Sequence, residues 1–286
     1  MSRNAPQRDD VLSEEALKES FPEYSGQVTA SEHVPARDAD TVPAEEVLRD
    51  GLADHLDNDL YRHQAKGLAS LANDENIVVT TSTSSGKTRI YALQIARNQL
   101  DNPDSTALCI YPMKALTRDQ ERTLNDRLAE WDVDTRTEVY DGDTKQGLKR
   151  DIRSNADTIL TNPAGLNVYL PRHNTDSGWS RFYNNLELIV VDEAHQYSGI
   201  MGTHVAWILR RLRRLLSYYN ADPQFVLTTA TIGNPAEHAT RLTSEEFTVI
   251  DEDGSPHGKR DIVLWKPPID DKALSEAEAY NMDPSE

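Results

Sequence analysis

The sequence predicts an α/β fold in which a mostly parallel sheet is covered by helices on both faces. Short apolar stretches alternate with helical runs between residues 60 and 250. Those stretches are apolar almost throughout, as in LELIVVD at 186–192, which is how strands buried on both faces read. Thr81, Pro112, Thr161, Asp192 and Thr229 then fall at the carboxyl ends of the strands, where ligands collect in open parallel sheets.

Residues 1–45 are polar and acid-rich and carry Pro6, Pro22, Pro35 and Pro43, so they read as a flexible arm with at most a short helix over residues 11–20. A helix is expected over 44–55, and another opens at Leu60-Tyr61-Arg62-His63-Gln64 and runs to 72. The β-branched run at 77–80 is a buried strand. Small polar residues then lead to Gly86-Lys87-Thr88 and to a helix marked by Ile90, Ala92, Leu93 and Ile95. Further strands are expected at 106–111, 135–140, 158–161, 186–192, 224–229 and 247–250. Helices fall between them at 116–131, 144–153, 163–170, 203–219 and 235–242. In the 203–219 helix, Val205, Ile208, Leu209, Leu212, Leu215 and Leu216 share one face. The expected domains are an arm at 1–45, one nucleotide-binding domain at 46–250, and a linker strand with an acidic tail at 251–286.

The 286 residues suffice for one large domain or two small ones. The only cysteine, Cys109, lies in the apolar run TALCIY, which excludes an intrachain disulfide and a zinc site of several thiolates. No run approaches a membrane span, and MSRNAPQRDD lacks the apolar segment of a signal peptide, so the chain reads as cytoplasmic with no membrane partner. The net charge is −18, with 48 acidic against 30 basic residues. Acid-rich, Arg-over-Lys usage fits a protein kept hydrated in concentrated salt, as in halophiles. In such salt, acidity argues less against a nucleic-acid partner, because repulsion is screened.

The chemistry starts at IVVTTSTSSGKT, residues 77–88. Strand, small-residue loop, Gly-Lys-Thr and helix form a phosphate-binding layout. Backbone N–H groups at the helix start face the anion, and small side chains at Thr83, Ser84, Ser85 and Gly86 let the backbone close on phosphate oxygens. Lys87 reaches the β- and γ-phosphates, and the Thr88 hydroxyl suits Mg²⁺. Thr81 holds the place of the first glycine of GxxxxGK[ST]. The second site is Val190-Val191-Asp192-Glu193-Ala194-His195. Here Asp192 can hold Mg²⁺ opposite Thr88, and Glu193 can orient and deprotonate the attacking water. Thr229 and Thr231 follow the next strand, where their hydroxyls could bond His195 and sense the nucleotide. Gln64 carries a donor and an acceptor that match the adenine edge, and Tyr61 or Arg62 could stack on the base. No Asn-Lys-x-Asp guanine-reading motif occurs, so ATP is expected rather than GTP.

These motifs resemble those of superfamily-2 DEAD/DEAH-box helicases over residues 60–268. LYRHQ resembles the Q motif, TSTSSGKT motif I, YPMKAL motif Ia, and YDGDT with TNPAGLN the intermediate motifs including Ib. DEAH resembles motif II and TATIGNPAEHA motif III. Together they are most similar to the branch of bacterial mitomycin-repair helicases and their RecQ-like fungal relatives. The resemblance implies a RecA-like P-loop NTPase fold and ATP with Mg²⁺ as cofactors. It also implies ATP-dependent translocation on nucleic acid, DNA foremost, in repair. By resemblance Pro112, Lys114, Thr161 and Asn162 touch the sugar-phosphate backbone of one strand, while Asn167 stands where the branch often has His.

Arg210, Arg211, Arg213 and Arg214 form a basic run that reads either as a DNA track or as a solvated face opposite the leucine stripe. Helicases of this type use two RecA-like domains, and the second supplies an arginine finger contributing roughly 10³–10⁵ in rate. After residue 268 only an acidic tail follows, so a second RecA-like domain is expected in another chain or in a longer parent protein. Two readings remain at this level: the ATP-binding motor domain of a helicase, weakly active alone, or a truncated module that binds ATP or nucleic acid without translocating.

Overall fold

The computed structural model describes residues 28–48, 51–173 and 178–266, which form two compact units. The first contains residues 28–38 and 256–266. In it β1 (Val28–Val34) pairs antiparallel with β11 (Arg260–Trp265), and a bridge joins Arg37 to His257. A strand therefore stands where the sequence suggested only an arm. The expected helix over 11–20 lies outside the described residues.

The second unit, Ala39–Ser255, carries the seven-stranded sheet. In chain order its elements are β2 (Thr41–Val42), β3 (Leu60–Tyr61), α1 (Arg62–Leu71), β4 (Ile77–Val79), α2 (Lys87–Asp101), β5 (Thr106–Ile110) and α3 (Lys114–Glu130). They continue as β6 (Thr137–Val139), α4 (Gln146–Asn155), β7 (Thr158–Thr161), α5 (Pro163–Tyr169), α6 (Trp179–Asn184) and β8 (Leu186–Val191). The last are α7 (Gly199–Tyr219), β9 (Gln224–Thr228), α8 (Pro235–Thr243) and β10 (Thr248–Ile250). The sheet order is β10-β4-β9-β8-β5-β7-β6, and every pairing in it is parallel.

Strand β8 shows how the sequence encodes this layering. Leu188 and Val190 point into a core shared with α1, α2 and α3, while Ile189 and Val191 point into the opposite core under α4 to α8. Both faces are apolar because both are covered. The helical stripe of α7 is buried as its spacing predicts, with Val205, Leu209, Leu212 and Leu216 almost inaccessible.

Two local expectations are corrected. No continuous helix covers the described part of 44–55. Two single 3₁₀ turns, Ala44–Glu46 and Leu52–His55, stand there instead, and Gly51 at φ 73° sets a left-handed backbone ahead of the second. Helix α6 was not anticipated. It presents Trp179, Phe182 and Tyr183 in six residues, too few to show a helical period.

Candidate functional site

The sheet order sorts the candidate residues into two groups. Strands β4, β9 and β8 are neighbours, so the loops after them, carrying Gly86-Lys87-Thr88, Thr229 and Asp192-Glu193, lie side by side. Strands β5, β7 and β6 form the other half and carry Pro112, Lys114, Asp141, Thr161 and Asn162.

The phosphate loop is braced on both sides. Gly86 sits at φ 82° as the N-cap of α2, and a Cβ there would come within 2.7 Å of Gln64 Nε2. Gln64 is buried; its Nε2 donates to the Gly86 carbonyl at 3.0 Å and its Oε1 accepts from Tyr61 N at 3.0 Å. The amide expected to read adenine thus ties the start of α1 to the loop. Arg62 forms a two-pronged pair with Asp40, at 2.5 and 2.8 Å. Tyr61 stays half-buried, its ring stacked on His63 at 5.9 Å.

Thr81 and Ser85 are buried and share a 2.6 Å hydroxyl contact across the loop, while Thr83 and Ser84 are exposed at its tip, Ser84 at φ 64°. Thr81 fills the place of the missing glycine by making that contact. Asp253, from the turn after β10, anchors the loop from outside. Its Oδ2 accepts from Ser82 N at 3.2 Å and Ser82 Oγ at 2.5 Å, and its Oδ1 accepts from Ser255 N and Oγ at 2.9 and 2.7 Å. Burial pushes the Asp253 carboxyl up, but the bonds from Ser255 and Ser82 outweigh it and hold it well below the usual carboxylate range. The sequence showed DEDGS only as an acidic linker; the Asp-Gly pair was the available turn signal.

Lys87 donates to the carbonyls of Thr81 and Ser82 at 2.9 and 2.8 Å. Burial lowers its pKa, opposed by the charges of Glu193, Asp192 and Asp253. Burial likewise raises Asp192; a bond from Thr228 opposes this and the charge of Glu193 adds to it. A half-buried carboxylate beside a second carboxylate favours a nearby cation. Thr88 and Asp192 therefore offer a donor set that fits Mg²⁺, which is commonly held by one or two carboxylates plus substrate phosphates.

Thr228 is the hydroxyl that the sequence reading missed. The β8–β9 register pairs Val191 with Leu227, so Thr228 comes opposite Asp192. Its Oγ1 donates to Asp192 Oδ1 and accepts from Glu193 N at 3.4 Å. Thr229, by contrast, is fully buried with an unbonded hydroxyl, and Thr231 is exposed. Glu193 adopts a left-handed backbone, φ 51°, a conformation that costs a non-glycine residue of order 1 kcal/mol and clusters at functional sites. His195 Nδ1 lies 3.3 Å from both Glu193 Oε2 and Ala230 N. His238 of α8 was also missed; its Nε2 donates to the Ala194 carbonyl at 2.8 Å and holds the turn from behind.

On the other half, Lys114 pairs with Asp143 at 2.9 Å, with both side chains half-exposed. Pro112 is partly exposed. Two residues expected to touch the strand also make bonds within the fold. The Thr161 hydroxyl is fully buried, donates to the Tyr140 carbonyl at 2.8 Å and accepts from Tyr169 OH. Asn162 caps α5 by accepting from Gly165 N at 2.9 Å. Beside them a cleft of about 230 Å³ is lined by Lys114, Lys149, Arg153, Asn162 and Arg172. Arg153 donates to Tyr140 OH at 3.0 Å, and Lys149 lies 5.8 Å over the Tyr140 ring.

A profile of the family described as DEAD/DEAH box helicase matches residues 61–239. The chain is 35% identical over 246 residues to the uncharacterized ATP-dependent helicase YprA of Bacillus subtilis, covering 85% of this chain and 33% of that protein. It is 42% identical over 215 residues to the ATP-dependent helicase HRQ1 of Saccharomyces cerevisiae, covering 73% of this chain and 20% of that one. A crystal structure of the DUF1998 helicase MrfA bound to DNA and AMPPNP superposes with a TM-score of 0.81 at 33% identity, covering 93% of this chain and 38% of that chain. The chain thus spans well under half the length of these relatives. Among the described residues, no helix is long and apolar enough to cross a membrane.

Proposed function

Since the chain belongs to the DEAD/DEAH box helicase family, we propose that it is the first RecA-like motor domain of an ATP-dependent nucleic-acid helicase, incomplete without a second such domain. The observation that supports this reading is that the loops after β4 and β8, which flank β9, bring Lys87 under the charges of Glu193 and Asp192. We take residues 46–250 as the motor domain, flanked by an arm and by a linker and tail. DNA is the preferred partner and Mg²⁺ the metal. A DNA-bound, AMPPNP-bound structural relative supports both the nucleotide and the nucleic acid.

In this mechanism Gly86 and the α2 N-terminus bind the phosphates, and Lys87 neutralises charge near the γ-phosphate. Thr88 and Asp192 would hold Mg²⁺, which when bound supplies positive charge to the phosphates. Glu193, fixed by its backbone and by Thr228, takes the proton of the attacking water at a carboxylate oxygen. His195, between Glu193 and Ala230, links that event to the loop after β9. Strand-end cations on the β5–β7–β6 half would grip the sugar-phosphate backbone.

In this reading the arginine finger belongs to the second domain, so these residues alone should hydrolyse ATP slowly even with single-stranded DNA. A steady-state ATPase assay, repeated after adding a separately expressed second RecA-like domain, tests this. Stimulation is expected, and Glu193→Gln should abolish it while ATP still binds. Fast DNA-stimulated turnover by the chain alone, lost in Glu193→Gln, would rule out the incomplete-motor reading.

A further inference from the structure

The four arginines of the basic run do not act together. Arg213 pairs with Glu245 and donates to the Ser244 carbonyl at 3.3 Å. Arg210 lies 5.8 Å over the Trp207 ring and reaches the Arg241 carbonyl at 3.3 Å. The other two face a cleft on the flank of α7, of about 450 Å³, lined by Leu170, His173, Arg211, Arg214, Leu215 and Tyr218. Arg211 donates to Asn167 Oδ1 of α5 at 2.6 Å. Among the described residues that line the cleft there is no carboxylate, although the chain carries a net charge of −18.

Tyr218 is 71% exposed, yet its ring is backed by other rings. It meets Tyr219 edge-on at 5.1 Å, Tyr219 stacks on buried Tyr183 at 5.7 Å, Tyr183 on Trp179 at 5.4 Å, and Trp179 on Tyr169 at 5.0 Å. His173 meets Tyr218 edge-on at 5.8 Å and lies 3.1 Å from Tyr219 OH. The aromatic column continues to Tyr140, which faces the basic cleft beside Lys114 and Lys149. An exposed ring on so firm a backing is a platform for stacking at small further cost in entropy. With two guanidinium groups beside it, it fits one base and its flanking phosphates.

We propose that this flank cleft is a second contact for a single nucleic-acid strand, with a base on Tyr218 and phosphates on Arg211 and Arg214. Helix α7 starts at the carboxyl edge of the sheet and runs back toward the other edge, so Tyr218 lies about 28 Å along it from the strand-end loops. The cleft would thus extend the strand's path down the side of the domain. The inference rests on the reading of the chain as a nucleic-acid motor domain.

Fluorescence-anisotropy titrations of the full chain with oligodeoxynucleotides of about 6 and about 16 nucleotides test it. Tyr218→Ala and Arg214→Ala should each weaken binding of the longer strand about three- to tenfold and leave the shorter one nearly unchanged, while Tyr218→Phe should bind as the parent does. Arg214→Ala should also lower the salt slope by about one. Equal affinity of parent and both alanine variants for the longer strand overturns the proposal. If Lys149→Ala still weakens both strands, the strand-end surface stands without the flank. Failure of the parent to bind either strand overturns both readings. Displacement of the longer strand by polyglutamate, lost in Arg214→Ala, would assign the cleft to an acidic protein partner and overturn the proposal.

Discussion

Lys87 makes two bonds to the carbonyls of its own loop and lies under the charges of Glu193, Asp192 and Asp253. Lys87→Ala should weaken ATP binding by about 1.5–3 kcal/mol, the worth of a charge-assisted bond. Titration with a fluorescent ATP analogue checks it, and equal affinity for variant and parent would remove Lys87 from the phosphate site. Gln64 makes a different case. Its buried amide is spent on Tyr61 N and the Gly86 carbonyl. Gln64→Ala should therefore cost about 1–3 kcal/mol of stability, because two half-buried backbone groups lose their partner. It should also weaken ATP and GTP binding together, because the loop loses its brace. Thermal melts and paired nucleotide titrations separate the cases, and a loss confined to ATP would return Gln64 to a base-reading role.

At the scale of elements, the turn after β10 holds the phosphate loop through Asp253. Its carboxyl is held below its ordinary value in the folded chain, so the unfolded chain binds more protons in the window below about pH 4. The stability it contributes is fully present above that value and is lost as pH falls towards the lowered one. Asp253→Asn should thus be less stable than the parent at neutral pH, with the gap narrowing in acid. Urea unfolding at neutral pH and below pH 4 measures the gap; one that widened in acid would contradict the assignment. Asp192 has the opposite sign, since its carboxyl is raised by burial. It disfavours folding as pH rises from the ordinary carboxylate value through the raised one, which is the cost of keeping a half-buried carboxylate where a cation can be held.

Across the whole molecule, net charge dominates. At −18 the surface repels itself. Salt shortens the screening length from about 10 Å at 0.1 M to about 3 Å at 1 M. The melting midpoint should therefore rise between 0.1 M and molar potassium chloride. A flat or falling midpoint over that range would argue against adaptation to concentrated salt. The same screening bears on nucleic-acid binding, so affinities compare only at one fixed salt concentration.

The sequence by itself determined the parallel sheet, the two-core layering and the three strand-end motifs. Each is a local signal: an apolar run such as 186–191, a helical stripe such as that of α7, or a motif contiguous in the chain such as 86–88 or 192–195. What the tertiary structure alone decided are the contacts across long chain separations. Thr228 was passed over for Thr229 because only the β8–β9 register brings it to Asp192. Asp253 lies 171 residues from Ser82, and nothing local in DEDGS marks its partner. The basic run read as one face, yet with α5 and α8 packed on either side of α7, Arg211 and Arg214 face one cleft, Arg210 lines another and Arg213 pairs with Glu245. Side-chain type and spacing fix which groups can reach a strand end or a helix face; which group they meet there depends on strand order and helix packing, and these are set by the whole core at once.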